Sequence, residues 1–304
     1  MKKILTLLVC LPLVSFSQSI TDSLLLYYNM NGNAQDLSGR NFHGTASGVT
    51  PTQDRYGNDS SAYYFDGVND YIDFPLNDTL KPEFPITFSF WIKLDVLGQN
   101  ENKFFSTDFV QNNYHGSWMT VDINGELRIG YGGGLGGCSA QNSIAYKATE
   151  FPLDTGIWYH VAGVIRSYNS MDLYINCINV AASFVLGTNT FNIGYSNTEQ
   201  GTLGRIDNNT SLPPRYYKGC MDEFMMWNRE LSATEIGLLC DSMPIITDTI
   251  TNNTGPGTFI GEIPTNKNLL KITNILGQET PFRKNTPLFY IYEDGTVEKK
   301  ILVE

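Results

Sequence analysis

From Leu24 to about Val185 the chain alternates short apolar runs with clusters of Asn, Asp, Gly and Pro. Ser61 to Phe65, Ile86 to Leu94, Trp118 to Ile123, Glu126 to Tyr131, Trp158 to Arg166 and Met171 to Ile175 each have strand length and carry aromatic or β-branched residues. Each is bounded by turn formers. Regularly spaced strands without helical periods between them predict a sandwich or barrel. From Trp158 to Ile165 apolar and less apolar residues nearly alternate, the pattern of a strand with one face in the core. The next strand follows Ser167 to Ser170, which predicts a hairpin. One helical signal stands apart. In Leu231 to Ile236 a Ser precedes a Glu by three positions, the capping-box spacing, which predicts a short helix from near Ser232 to near Cys240.

Residues 244–267 change to Thr, Asn, Gly and Pro with little that forms a core, so they read as a linker. Beyond it, in residues 268–304, pattern returns: Leu269 to Leu276, Leu288 to Tyr292, a turn at Glu293-Asp294-Gly295, and Thr296 to Val303. Three such strands make a small sheet, marginal alone. At the other end, Lys2 and Lys3, an apolar run from Ile4 to Val14 and small residues before Gln18 read as a signal peptide over residues 1–17, too short for a membrane span. Cys10 lies inside the apolar run and lacks the small residues expected before a lipidated cysteine. The expected division is signal 1–17, main domain 20–243, linker 244–267 and tail 268–304, with the protein outside the cell or on its surface.

Composition sharpens this picture. Of 304 residues, 17% are charged, while 17 Tyr and 17 Phe favour strands over amphipathic helices. A net charge of −11 without a Lys/Arg cluster argues against nucleic acid as partner. Cys138, Cys177, Cys220 and Cys240 remain after signal removal, an even number that reads as disulfides. Three pairings are open; Cys138 with Cys177 and Cys220 with Cys240 is preferred because each closes the shorter loop. Their wide spacing, with no histidine neighbour, argues against zinc.

Five blocks carry a family resemblance: Leu24 to Thr45, Tyr64 to Phe74, Ile86 to Lys93, Gly156 to Val164 and Gly219 to Ile236. In that order they resemble the laminin G-like, concanavalin A-like jelly-roll domains. The resemblance implies an all-β fold: an antiparallel two-sheet jelly-roll sandwich closed by a short C-terminal helix, with a small β-rich tail behind it. Where the family usually has Gly after Leu-Tyr-Ile-Asn, this chain has Cys177, which implies a local disulfide. The tail, best in Leu270 to Glu279, is similar to the C-terminal sorting domains of exported proteins from Bacteroidetes-type bacteria that use type IX secretion. That similarity implies contact with export machinery.

Several candidate chemistries follow. Some enzymes of this fold place their carboxylates as E-x-D-x-x-E, which is absent here. Adjacent Asp222 and Glu223 are expected to point to opposite faces of a strand, so no glycosidase pair is expected and the domain reads as non-catalytic. The alternatives are a carbohydrate-active enzyme or a structural, adhesive surface protein. His43, His115 and His160 read as structural, with His115, beside Tyr114 and Trp118, keeping some interest. Gly132 to Gly137 satisfies G-x-G-x-x-G but lacks a βαβ setting and reads as a loop. Calcium suits the hard oxygens of Asp66, Asn69 and Asp70 in one turn, with Asp36 and Asp222 as partners, although these residue types also make ordinary turns. Some relatives hold calcium near such loops. Trp91, Trp158 and Trp227 fall in family blocks where core packing is expected. Tyr114, Trp118 and Tyr131 remain as candidate platforms for a polysaccharide; an extracellular protein is the other expected partner. Asn-X-Ser/Thr matches at Asn58, Asn77, Asn208, Asn209 and Asn252 mean little if the source is bacterial, and are common by chance in Asn-rich loops.

Overall fold

The computed structural model of the protein describes residues 19–97, 102–108, 115–134, 144–180, 182–186, 191–196, 198–206 and 215–241. In the tail it describes Leu269–Thr273, Leu288–Tyr292 and Val297–Lys300. The expected signal peptide and linker lie outside the described residues. The chain divides into two compact units, Met1–Ile245 and Ile246–Glu304.

The alternating strands Ile86–Leu94 and Trp158–Ser167 pair antiparallel over eight positions, from Trp158 opposite Lys93 to Ile165 opposite Ile86. Their sheet has eight strands. Its order runs Ile178–Val180, Ser170–Ile175, Trp158–Ser167, Ile86–Leu94, Lys218–Trp227, Ala62–Asp66, Thr50–Thr52, and Leu24–Tyr28 also pairs with Lys218–Trp227. A second eight-stranded sheet runs Ala182–Leu186, Ile144–Pro152, Glu126–Gly132, Ser117–Val121, Asn102–Ser106, Thr202–Leu203, Tyr71–Asp73, Thr45–Ser47. The result is the expected antiparallel two-sheet sandwich. The tail forms a separate three-stranded antiparallel sheet.

Between the sheets lies an aromatic core. Phe88, Phe90 and Phe224 from the first sheet pack on Phe104 and Phe105 of the second, with ring centroids 4.4 to 5.7 Å apart. The first sheet is covered on its outer side too. There Leu24, Tyr27, Ala162, Val164, Met225 and Trp227 pack against Leu231, Ile236 and Leu239. Most of that cover is the helix Ala233–Asp241, which starts where the capping box predicts: Ser232 N–H donates to Glu235 Oε2 (2.8 Å) and Glu235 N–H to Ser232 Oγ (3.3 Å). Arg229 also binds Glu235 at 2.7 Å.

The disulfide is where expectation and structure part. Cys177 bonds Cys240, with Cα atoms 6.0 Å apart across a sequence separation of 63, so the preferred short-loop pairing does not form. The hairpin turn at Asn176 (φ 49°) and Cys177 (φ 62°) is left-handed at both positions and carries Cys177 to the helix. Cys220, within a central strand, is a buried thiol outside any disulfide, and Cys138 lies outside the described residues.

Candidate functional site

The outer face of the first sheet carries an unusual joint. Asp222 lies opposite Trp91, but Met225 lies opposite Ser89, so the Lys218–Trp227 strand holds one extra residue between those pairs. Glu223 is at the bulge, with φ 50°, left-handed for a non-glycine residue. The bulge resets the alternation. Met221, Phe224 and Met226 face the inner core, while Asp222 stays on the outer side and Glu223 joins it there.

Both carboxylates meet one cation. Arg55 Nη1 donates to Asp222 Oδ2 at 3.1 Å, and Nη2 donates to Glu223 at 3.2 and 3.3 Å. The guanidinium lies between two rings, 4.5 Å from the Tyr56 centroid and 4.2 Å from that of Trp91. Its loop is self-supporting: Asp54 accepts from Tyr56 N–H, Asn58 N–H and Asn58 Nδ2, a local turn that presents Arg55 inward and Tyr56 outward. The expectation that adjacent Asp222 and Glu223 face opposite ways is therefore corrected, because it assumes an unbroken strand.

Above the triad is an open polar cavity of about 170 Å3. Tyr27, Asn29, Asn31, Tyr56 and Asn58 line it with the two carboxylates. Tyr56 is 60% exposed, whereas the Arg55 side chain is 6% exposed. Burial, then repulsion from Glu223, raises the Asp222 pKa to about 8 against the pull of Arg55. Burial raises Glu223 as well, again opposed by Arg55. Asp222 lines the cavity, and its Oδ1 is buried with no hydrogen-bond partner among the described residues.

Of the five residues expected to hold calcium, Asp66, Asn69 and Asp70 share one turn, while Asp36 and Asp222 are engaged by partners of their own. Asp36 accepts from Tyr27 N–H, Ser38 N–H, Ser38 Oγ and Phe42 N–H, shaping its own loop. Asp222 belongs to Arg55. Asp66 Oδ1 accepts from Val68 and Asn69 N–H, and Asp70 Oδ2 from Asp66 N–H, which keeps these residues together in one turn. Among the described residues, no three of these carboxylates bring oxygens within 4.8 Å of one another.

The aromatic trio is also redistributed. Tyr131 is fully buried, its ring against Phe84 and Phe191 and its hydroxyl donating to the Tyr168 carbonyl, so it is core and not a platform. Trp118 is half-buried, packed near Tyr146, and Tyr114 lies outside the described residues. The exposed ring at the cavity is Tyr56, which sequence reasoning missed. Its signal was Asp54-Arg55-Tyr56-Gly57-Asn58, a tight turn that displays its aromatic residue.

His43 Nδ1 accepts from Asp36 N–H at 3.1 Å. His160 is buried behind Trp91, and burial, then the Arg55 charge, lowers its pKa to about 3.

The family described as the concanavalin A-like lectin/glucanases superfamily matches residues 66–237. No curated protein matches the sequence. Among solved structures, Trypanosoma rangeli sialidase aligns with a TM-score of 0.51 at 14% identity, over 77% of this chain and 35% of its own. Domain 4 of an extracellular arabinanase from Geobacillus stearothermophilus, in complex with arabinotriose, aligns at 0.51 and 19% identity, over 72% of this chain and 98% of that domain. A mutant form of HCR/D aligns at 0.54 and 18%, over 74% and 53%. At these identities the likeness is one of fold, and the chain spans about a third of the sialidase.

Proposed function

The chain belongs to the concanavalin A-like lectin/glucanases superfamily, and on that premise we propose that it is an extracellular module that binds a glycan at the cavity above Arg55. The observation that carries this reading is the pairing of an exposed ring with unfilled polar capacity. Tyr56 stands 60% exposed beside Asn29, Asn31 and the unpartnered Asp222 Oδ1. Sugar faces pack on rings while their hydroxyls seek amides and carboxylates. About 170 Å3 is below the roughly 300–1,000 Å3 of sites for drug-sized ligands, so the cavity suits one ring, a chain end or a branch. The arabinotriose on the arabinanase domain is consistent with a sugar-binding use of the fold. Asp222 and Glu223 bind substrate hydroxyls in this reading and do not catalyse, since both are held by Arg55.

The test is binding of the full chain to a panel of soluble polysaccharides, with calcium and with chelator, for the parent and Tyr56→Ala. Saturable binding that weakens at least about tenfold in Tyr56→Ala supports the proposal. No binding, or binding indifferent to Tyr56, overturns it and favours a protein partner or an adhesive role. Release of reducing ends that stops in Glu223→Gln revives the enzyme. Dependence on calcium would rest on Asp66, Asn69 and Asp70 alone. Export through residues 1–17 and the type IX-like tail belongs to the same proposal, and the mass of the secreted protein tests it by showing which ends are removed.

A further inference from the structure

Behind Trp91, on the same outer face, three potential soft-metal ligands converge from separate elements. His160 comes from the Trp158–Ser167 strand, Cys177 from the left-handed hairpin turn and Cys240 from the closing helix. Their ligand atoms all lie within 4.8 Å of one another. His160 Nδ1 is 3.6 Å from Cys177 Sγ. Zn–S of about 2.3 Å and Zn–N of about 2.0–2.1 Å at a tetrahedral angle require an N···S separation of about 3.6 Å. The imidazole is already oriented: Nε2 is 2.7 Å from Ser89 Oγ, and in the tautomer that donates this proton the Nδ1 lone pair faces the sulfur. Both cysteines are half-buried, which leaves a path from solvent.

We propose that the reduced chain binds one zinc ion through His160 Nδ1, Cys177 Sγ and Cys240 Sγ, and that this metal site and the Cys177–Cys240 disulfide are alternative states of the same clasp. A dithiol reductant breaks the S–S bond, delivering two electrons and two protons to the cysteines and leaving as its own disulfide. Zinc then displaces both thiol protons to solvent and takes the two thiolates and the imidazole, with water in the fourth position. A small-molecule disulfide reverses the step by exchange: it takes two electrons from the thiolates and two protons from solvent, leaves as two thiols, re-forms the Cys177–Cys240 bond and releases the ion. In either state the hairpin and the closing helix stay joined over the sheet, so the clasp does not depend on an oxidising compartment. The distant spacing that spoke against zinc along the sequence is overcome because the fold brings the hairpin turn to the helix.

The experiment uses the full chain with Cys10, Cys138 and Cys220 changed to Ser, reduced with a phosphine without oxygen and titrated with cobalt(II), then zinc. The expected result is one cobalt per chain with thiolate charge-transfer and tetrahedral d–d absorption, lost on adding zinc, and none in the oxidised chain. His160→Gln should weaken binding by at least about tenfold, and Cys177→Ser should abolish the thiolate band. Zinc should also slow alkylation of Cys177 and Cys240 at least tenfold in the chain that keeps His160, a readout independent of how the variants fold. Absence of cobalt binding by the reduced chain, equal binding by the oxidised chain, unchanged affinity in His160→Gln or unprotected thiols overturns the proposal.

Discussion

Arg55 holds two buried carboxylates and fills the gap between two aromatic rings, so its loss strands charge as well as opening space. Breaking a buried pair by removing one partner costs about 3–5 kcal/mol, and Arg55→Met should lower stability by that order in urea unfolding. Changing Arg55, Asp222 and Glu223 together to Met, Asn and Gln should recover part of the loss, because the stranded carboxylates go as well. A single-variant loss under about 1 kcal/mol would show that the triad is solvated. His160 gives the pH dependence. Its unfolded value is 6.5 and its folded value about 3, so between them only the unfolded chain takes the proton. Stability is thus full above about pH 6.5 and falls as the pH drops towards 3. Asp222 has the opposite sign: its folded pKa is raised, so its contribution weakens the fold as pH rises from 3.8 towards 8. Unfolding midpoints from pH 7 to 4 should fall less steeply in His160→Gln than in the parent, and parallel profiles would mean that His160 does not set the acid limb.

At the scale of elements, the closing helix was legible and the bulge was not. Ser232 and Glu235 satisfy each other through backbone contacts within four residues, so sequence alone placed the helix start. Ser232→Ala removes an N-cap and should cost about 1 kcal/mol, read as a lower melting temperature; no change would mean that Arg229 and the apolar face hold the helix unaided. The bulge leaves no comparable mark. Cys220 to Trp227 is a nearly continuous apolar run around Asp222 and Glu223, and an extra residue appears only against a partner strand. Whether Glu223 faces the core or Arg55 depends on that register, which is set by residues far away in sequence. The candidate site was therefore split: Asp222 was named, for a different role, while Arg55, Tyr56 and Asn29 entered only when the loops met the sheet.

Across the whole molecule, the disulfide joins residues 63 apart. Closing a loop of that size is worth about 4 kcal/mol in the chain-entropy account, so a phosphine with chelator present should lower the melting temperature measurably. An unchanged melting temperature would show that helix packing over Trp227 and Met225 suffices. The all-β class, the strand positions along the middle of the chain and the capped helix were determined by the sequence itself, because alternation, turn formers and capping are local in origin. Cysteine pairing, the burial of Tyr131, the scattering of the proposed calcium donors and the meeting of Asp222 with Glu223 were decided by the tertiary structure. Each depends on which distant strand or loop arrives beside a residue, and that is set by packing two sheets on one aromatic core rather than by any stretch of neighbouring residues.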